Sequence, residues 1–125
     1  MKQPQVMGLV FCERLNPLTF SLERLFQGRR FRRFPTQPHD FEVYSALCSD
    51  NFEGRLELVV TRLETEEDVY RHRQWCRSPG GFVLQLQVPI HKIRFTAPGR
   101  YQFRLLFEGK ELTGRFLDIS REEGR

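Results

Sequence analysis

The sequence predicts an all-β protein, an antiparallel sandwich of about seven strands. Three observations predict it. Apolar and polar residues alternate in several short runs, the period of a half-buried strand. Gly, Pro, Asn and Asp cluster between those runs, where turns are needed. The chain carries 12 Phe but only 2 Met in 125 residues, and Phe favours a pleated, packed surface.

Val6 to Leu15 is the first expected strand, apolar nearly throughout, as in a strand covered on both faces. Asn16-Pro17 ends it, because Pro has no N–H to give to a ladder. Ser21 to Phe26 reads either as a short helix or as an extended arm. Gln27-Gly28 signals a turn, and Pro35 with Pro38 marks a loop. Phe41 to Cys48 alternates, with Phe41, Val43, Ser45 and Leu47 on one face. Leu56, Leu58 and Val60 do the same in the run from Arg55 to Leu63. A turn beginning at Ser49-Asp50-Asn51 and ending at Gly54 makes these two runs read as a β-hairpin.

Thr65 to Arg77 has two readings. Thr65 with Asp68 resembles a capping box, and Glu66 and Glu67 suit a helix first turn. Val69, Tyr70 and Trp75 make no helical stripe, however, so an irregular edge strand fits equally. Ser78-Pro79-Gly80-Gly81 reads as a loop. Phe82, Leu84, Leu86 and Val88 then point inward, Pro89 interrupts, and His91 to Phe95 is a candidate continuation. Ala97-Pro98-Gly99 is a corner. Tyr101, Phe103, Leu105 and Phe107 face the core, Glu108-Gly109-Lys110 is a tight turn, and Leu112 to Ile119 is the last strand. Ser120 to Arg125 is charged and expected to fray.

Length and composition give one domain over residues 1–125, large enough for an ordinary core. The net charge is +4, from 20 basic and 16 acidic residues; this permits an acidic partner without demanding one. Cys12, Cys48 and Cys76 show no CxxC or Cys/His ligand spacing. They read as buried free thiols, with a Cys12–Cys48 bridge left open. The first residues lack a signal-peptide apolar run, and no segment approaches the ~20 apolar residues of a membrane span. A cytoplasmic protein without membrane contact is the expectation.

Pro98-Gly99-Arg100-Tyr101-Gln102-Phe103 followed by Glu108-Gly109-Lys110 resembles the last hairpin of immunoglobulin-like sandwiches, in which a corner tyrosine packs back on the preceding loop. Tyr101 is the matching position. Gly8-Leu9-Val10-Phe11-Cys12-Glu13, Phe34-Pro35 ahead of Phe41-Glu42-Val43-Tyr44, the Leu56 to Leu63 run and Pro98-Gly99-Arg100-Tyr101 together make the whole chain similar to a family of short bacterial proteins built on a domain of unknown function. It implies an immunoglobulin-like fold in a bacterial cytoplasm and carries over no catalytic residue.

Gly28-Arg29-Arg30-Phe31-Arg32-Arg33-Phe34 is the sharpest local feature. Arginines can neutralise phosphates or acidic groups, and aromatic rings can stack on bases. The plainer reading anchors Phe31 and Phe34 in the core and leaves the arginines in water. Trp75, in Arg71-His72-Arg73-Gln74-Trp75-Cys76-Arg77, is either an interface anchor or a cover over one end of the core. His39, His72 and His91 sit at no metal-ligand spacing. No cysteine has a local glycine-rich elbow to activate a thiol. Glu64, Glu66, Glu67 and Asp68 read as a solvated acidic run with Arg71 and Arg73 as possible partners. Neither cofactor nor small-molecule substrate is expected. The residues therefore point to a non-catalytic module binding another protein, or itself, through Arg29, Arg30, Arg32, Arg33 and Trp75. The alternative is a nucleic-acid-associated factor that adds Arg71, Arg73 and Arg77.

Overall fold

The computed structural model describes residues 4–16, 21–48, 52–78 and 83–122. Among them are nine strands and no helix. They are β1 (Gln5–Asn16), β2 (Ser21–Phe26), β3 (Gly28–Phe31), β4 (His39–Cys48), β5 (Phe52–Arg62), β6 (Glu67–Ser78), β7 (Val83–Ile93), β8 (Gly99–Phe107) and β9 (Lys110–Arg121). They form two sheets. One has the order β2-β1-β4-β7, and the other, which curls, has the order β3-β9-β8-β5-β6.

The core lies between the sheets because the inward positions of each strand are apolar at period two. Phe41, Val43 and Leu47 face Leu56, Leu58, Val60, Phe103 and Leu105, all buried in one cluster. Phe103 sits edge-on to Phe11 at 4.8 Å between ring centroids, and Phe95 to Tyr101 at 4.9 Å. Ser45 interrupts the apolar face of β4 without cost. β1 bulges between Val6 and Leu9, where Gly8 has φ 101°, and the Ser45 hydroxyl donates to the freed Gly8 carbonyl at 2.6 Å. A bulge leaves such a group unpaired, and a buried hydroxyl beside it satisfies both.

The expected hairpin between Phe41–Cys48 and Arg55–Leu63 does not form. β4 pairs with β1 and β7, whereas β5 pairs with β6 and β8 in the other sheet. The chain crosses the sandwich there, and alternation along two successive runs cannot tell a hairpin from a crossing. Residues 21–26 are strand rather than helix. They pair antiparallel with β1, so that Phe26 stacks on Phe11 at 6.0 Å. Thr65 and Glu66 belong to the β5–β6 turn, where Glu66 takes φ 57°, and edge strand β6 follows. Pairing with β5 overrides the local capping signal. Pro89 lies inside β7 opposite Glu42, tolerated because β7 is an edge strand.

β9 runs to Arg121, beyond the expected frayed start at Ser120, because β3 pairs with it in parallel (Arg30 opposite Ser120, Phe31 opposite Arg121). The Ser49-Asp50-Asn51 turn, the Pro79-Gly80-Gly81 loop, Pro17, Phe82, the side chains of Cys48 and Leu84, and residues 123–125 lie outside the described residues. Side chains reach between the two sheets at each flank of the sandwich, leaving the edges of β6 and β7 unpaired among the described residues. Arg115 of β9 donates to the Leu9 carbonyl of β1 at 2.6 Å, and the Tyr70 hydroxyl of β6 accepts from the His91 amide of β7 at 3.1 Å. No helix among the described residues is long and apolar enough to cross a membrane.

Candidate functional site

The arginine run spans β3 and the loop after it, at one edge of the five-stranded sheet. Its two phenylalanines anchor it. Phe31 packs on Phe95 and His39, and edge-on to Phe34. The arginines do not act as one patch. Arg29 is only 24% exposed; it binds Glu13 at 2.9 Å and lies over the Phe26 ring at 4.1 Å. Arg32 reaches Glu122 at 3.3 Å. Arg30 and Arg33 are exposed. Sheet alternation explains the split: Arg29 faces the seam between β3 and β1, while Arg30 takes the outer face.

Trp75 lies on β6, the opposite edge of the same sheet, and is 63% exposed. It does not cover the core. The neighbouring inward positions are taken by Cys76 and Ser78, both buried. Strand geometry therefore places Arg71, Arg73, Trp75 and Arg77 together on the outer face at every second residue. The Trp75 indole N–H donates to Glu53 at 3.3 Å, and Trp75 stands opposite Arg55. Among the described residues β6 pairs only with β5, so its other side is a sheet edge able to accept another strand. Four strand spacings separate β6 from β3, roughly 19 Å along the sheet. The two groups singled out from sequence are thus separate surfaces.

Charge on the β6 face is largely balanced. Glu57 accepts from Arg73 at 2.6 Å and from Arg71 at 2.9 Å, with Arg73 first in holding its carboxyl below the usual range. Asp68 takes a hydrogen bond from Thr61 at 2.7 Å and pairs with Arg71 at 3.1 Å; both lower its pKa, the Thr61 bond more. Of the acidic run, Asp68 pairs with Arg71 as expected, whereas Arg73 turns to Glu57 and Glu64 to Arg62.

A second feature was not visible in the sequence. Where the chain leaves β2 for the other sheet, a polar cleft opens, lined by Glu13, Arg14, Arg24, Arg29, His39 and Asp40. These residues come from four strands, so no local spacing announces them. His39 packs on Phe31 and Phe41, and burial, with Arg29 nearby, pushes its pKa down.

No group of three or more metal-ligating side chains occurs among the described residues. Cys12 and Cys76 are free and buried, and burial raises both thiols, Cys12 also through Glu42. The Cys12–Cys48 bridge is ruled out by register. Cys12 pairs with Glu42 while Cys48 pairs with Gln5, so their backbones are about 20 Å apart, far beyond disulfide reach. Compared with known proteins, the chain matches no family model and no curated protein.

Proposed function

We propose that this protein is a non-catalytic interaction module of a bacterial cytoplasm, an immunoglobulin-like sandwich that binds another protein through β6. The exposed Trp75 carries the reading. A large aromatic set among arginines on an unpaired edge has the composition of an interface anchor, and the edge itself supplies backbone groups for an added strand. The immunoglobulin-like assignment is supported by the parallel β3–β9 pair beside the antiparallel strands and by the Tyr101 corner.

Balanced charge on the β6 face favours a protein over nucleic acid. Phosphate-backbone binding draws on cations free to replace condensed counterions, and Arg71 and Arg73 already share Glu57.

The test is capture from a bacterial lysate, with and without nuclease. Wild type is compared with Trp75→Ser and with a variant carrying Ser at Arg29, Arg30, Arg32 and Arg33. A defined partner that survives nuclease and is lost with Trp75→Ser supports the reading. Loss only in the arginine variant moves the site to β3. Capture abolished by nuclease or modest salt favours the nucleic-acid alternative and overturns it.

A further inference from the structure

We propose that β6 docks against β6 of a second copy of this chain, antiparallel, about a two-fold axis beside Arg73. This rests on the reading of β6 as the docking edge and names its partner. Among the described residues the two sheets have four edge strands, β2, β7, β3 and β6. Natural edges are blunted by shortness, proline or lysine. β2 has six residues and β3 has four. β7 carries Pro89 and Lys92, and its His91 amide is taken by the Tyr70 hydroxyl. β6 runs for 12 residues with neither Pro nor Lys. Its bulge, at Val69, lies near its start and leaves Tyr70 to Ser78 in regular register with β5.

Charge along β6 is self-complementary. The strand begins with Glu67 and Asp68, and its later charges are Arg71, Arg73 and Arg77. An antiparallel copy lays an acidic start beside a basic end, twice in one interface, as an isologous contact requires.

An axis normal to the sheet keeps the outer faces of the two copies together. Placed beside Arg73, it sets Arg71 opposite the partner's Trp75. With the bulged Val69 counted out, it sets Asp68 opposite the partner's Arg77. Arg77 is exposed and makes no ion pair among the described residues. Arg71 holds Glu57 and Asp68 through N–H groups in its plane, which leaves its flat face for an exposed indole. The two Arg73 side chains meet already neutralised, each bound to Glu57 of its own chain at 2.6 Å.

The experiment is sedimentation equilibrium of the intact chain across a concentration series. A monomer–dimer equilibrium is expected. Trp75→Ser, Asp68→Lys and Arg77→Glu should each weaken it about tenfold or more, while the backbone amide spectrum stays that of a folded wild type. Mixing Asp68→Lys with Arg77→Glu should restore a dimer of the two, because each cross-strand pair again joins opposite charges. A chain that is monomeric at every concentration, a dimer unchanged in these variants, or no restoration on mixing overturns the second copy as partner. A monomeric chain that still captures a different protein, and loses it with Trp75→Ser, overturns the second copy and keeps β6 as the docking edge.

Discussion

The Tyr101 hydroxyl donates to the carbonyl of Ala97 at 2.7 Å, with its ring fully buried against Phe95. The bond ties the first turn of β8 to the segment that crosses between sheets. Tyr101→Phe keeps the ring and removes the donor. It should cost about 1–2 kcal/mol, read as a lower urea midpoint with an unchanged slope.

Gly54 shows how close β5 approaches the β8–β9 turn. A Cβ there would lie 2.7 Å from two atoms of the Phe107 ring, and Phe107 is itself fixed edge-on to Phe52. Gly54→Ala should therefore destabilise by about 1–3 kcal/mol through overpacking. Gly114→Ala, where the nearest atom is the Phe103 carbonyl oxygen at 3.4 Å, is the milder control. Thermal unfolding of the two variants side by side checks the difference.

Trp75→Ser should leave the fold almost untouched, within about 0.5 kcal/mol, because most of the side chain is already exposed to solvent. Stability that holds while capture is lost would separate an anchor from a structural residue. A loss of several kcal/mol in chemical denaturation would instead mean that Trp75 covers the core in solution.

His39 gives the chain a pH dependence of known sign. Its folded pKa lies below the ordinary value of about 6.5, chiefly through burial and then through the Arg29 charge, with Asp40 and Glu13 opposing. Below about pH 6.5 the unfolded chain takes up this proton and the folded chain does not. Its contribution is fully present above that pH, falls as the pH drops towards the folded pKa, and levels off beneath it. Denaturation at about pH 7.5 and about pH 5.5 should show a smaller acid loss in His39→Phe than in wild type.

Most of the fold was legible because period-two alternation is imposed by a two-sided sheet. Phe41, Val43, Ser45 and Leu47 all proved inward, as did Leu56, Leu58 and Val60. What alternation cannot carry is pairing. The β4–β5 hairpin was misread because a crossing between sheets and a hairpin present the same pattern on each strand. The capping residues near Thr65 signalled a helix that pairing with β5 overrode. At the candidate sites, Trp75 was legible as a residue type and its exposure was not, since that depends on which face β6 turns outward. The Glu13–Arg29–His39 cleft was invisible, its members being joined only by topology.

The β3–β9 pair has a consequence for how the molecule comes into being. Arg32 and Glu122, 90 positions apart, meet beside it, and Arg115 clasps the Leu9 carbonyl across the flank. A ribosome releasing this chain would expose β3 long before its partner β9 arrives, whereas β1 has its partners β2 and β4 close behind it. β3 must wait unpaired until β9 emerges and shuts the sandwich. Such distant closures make folding slow, so the interval between first and last strand is when this protein is most open to association with the wrong neighbour.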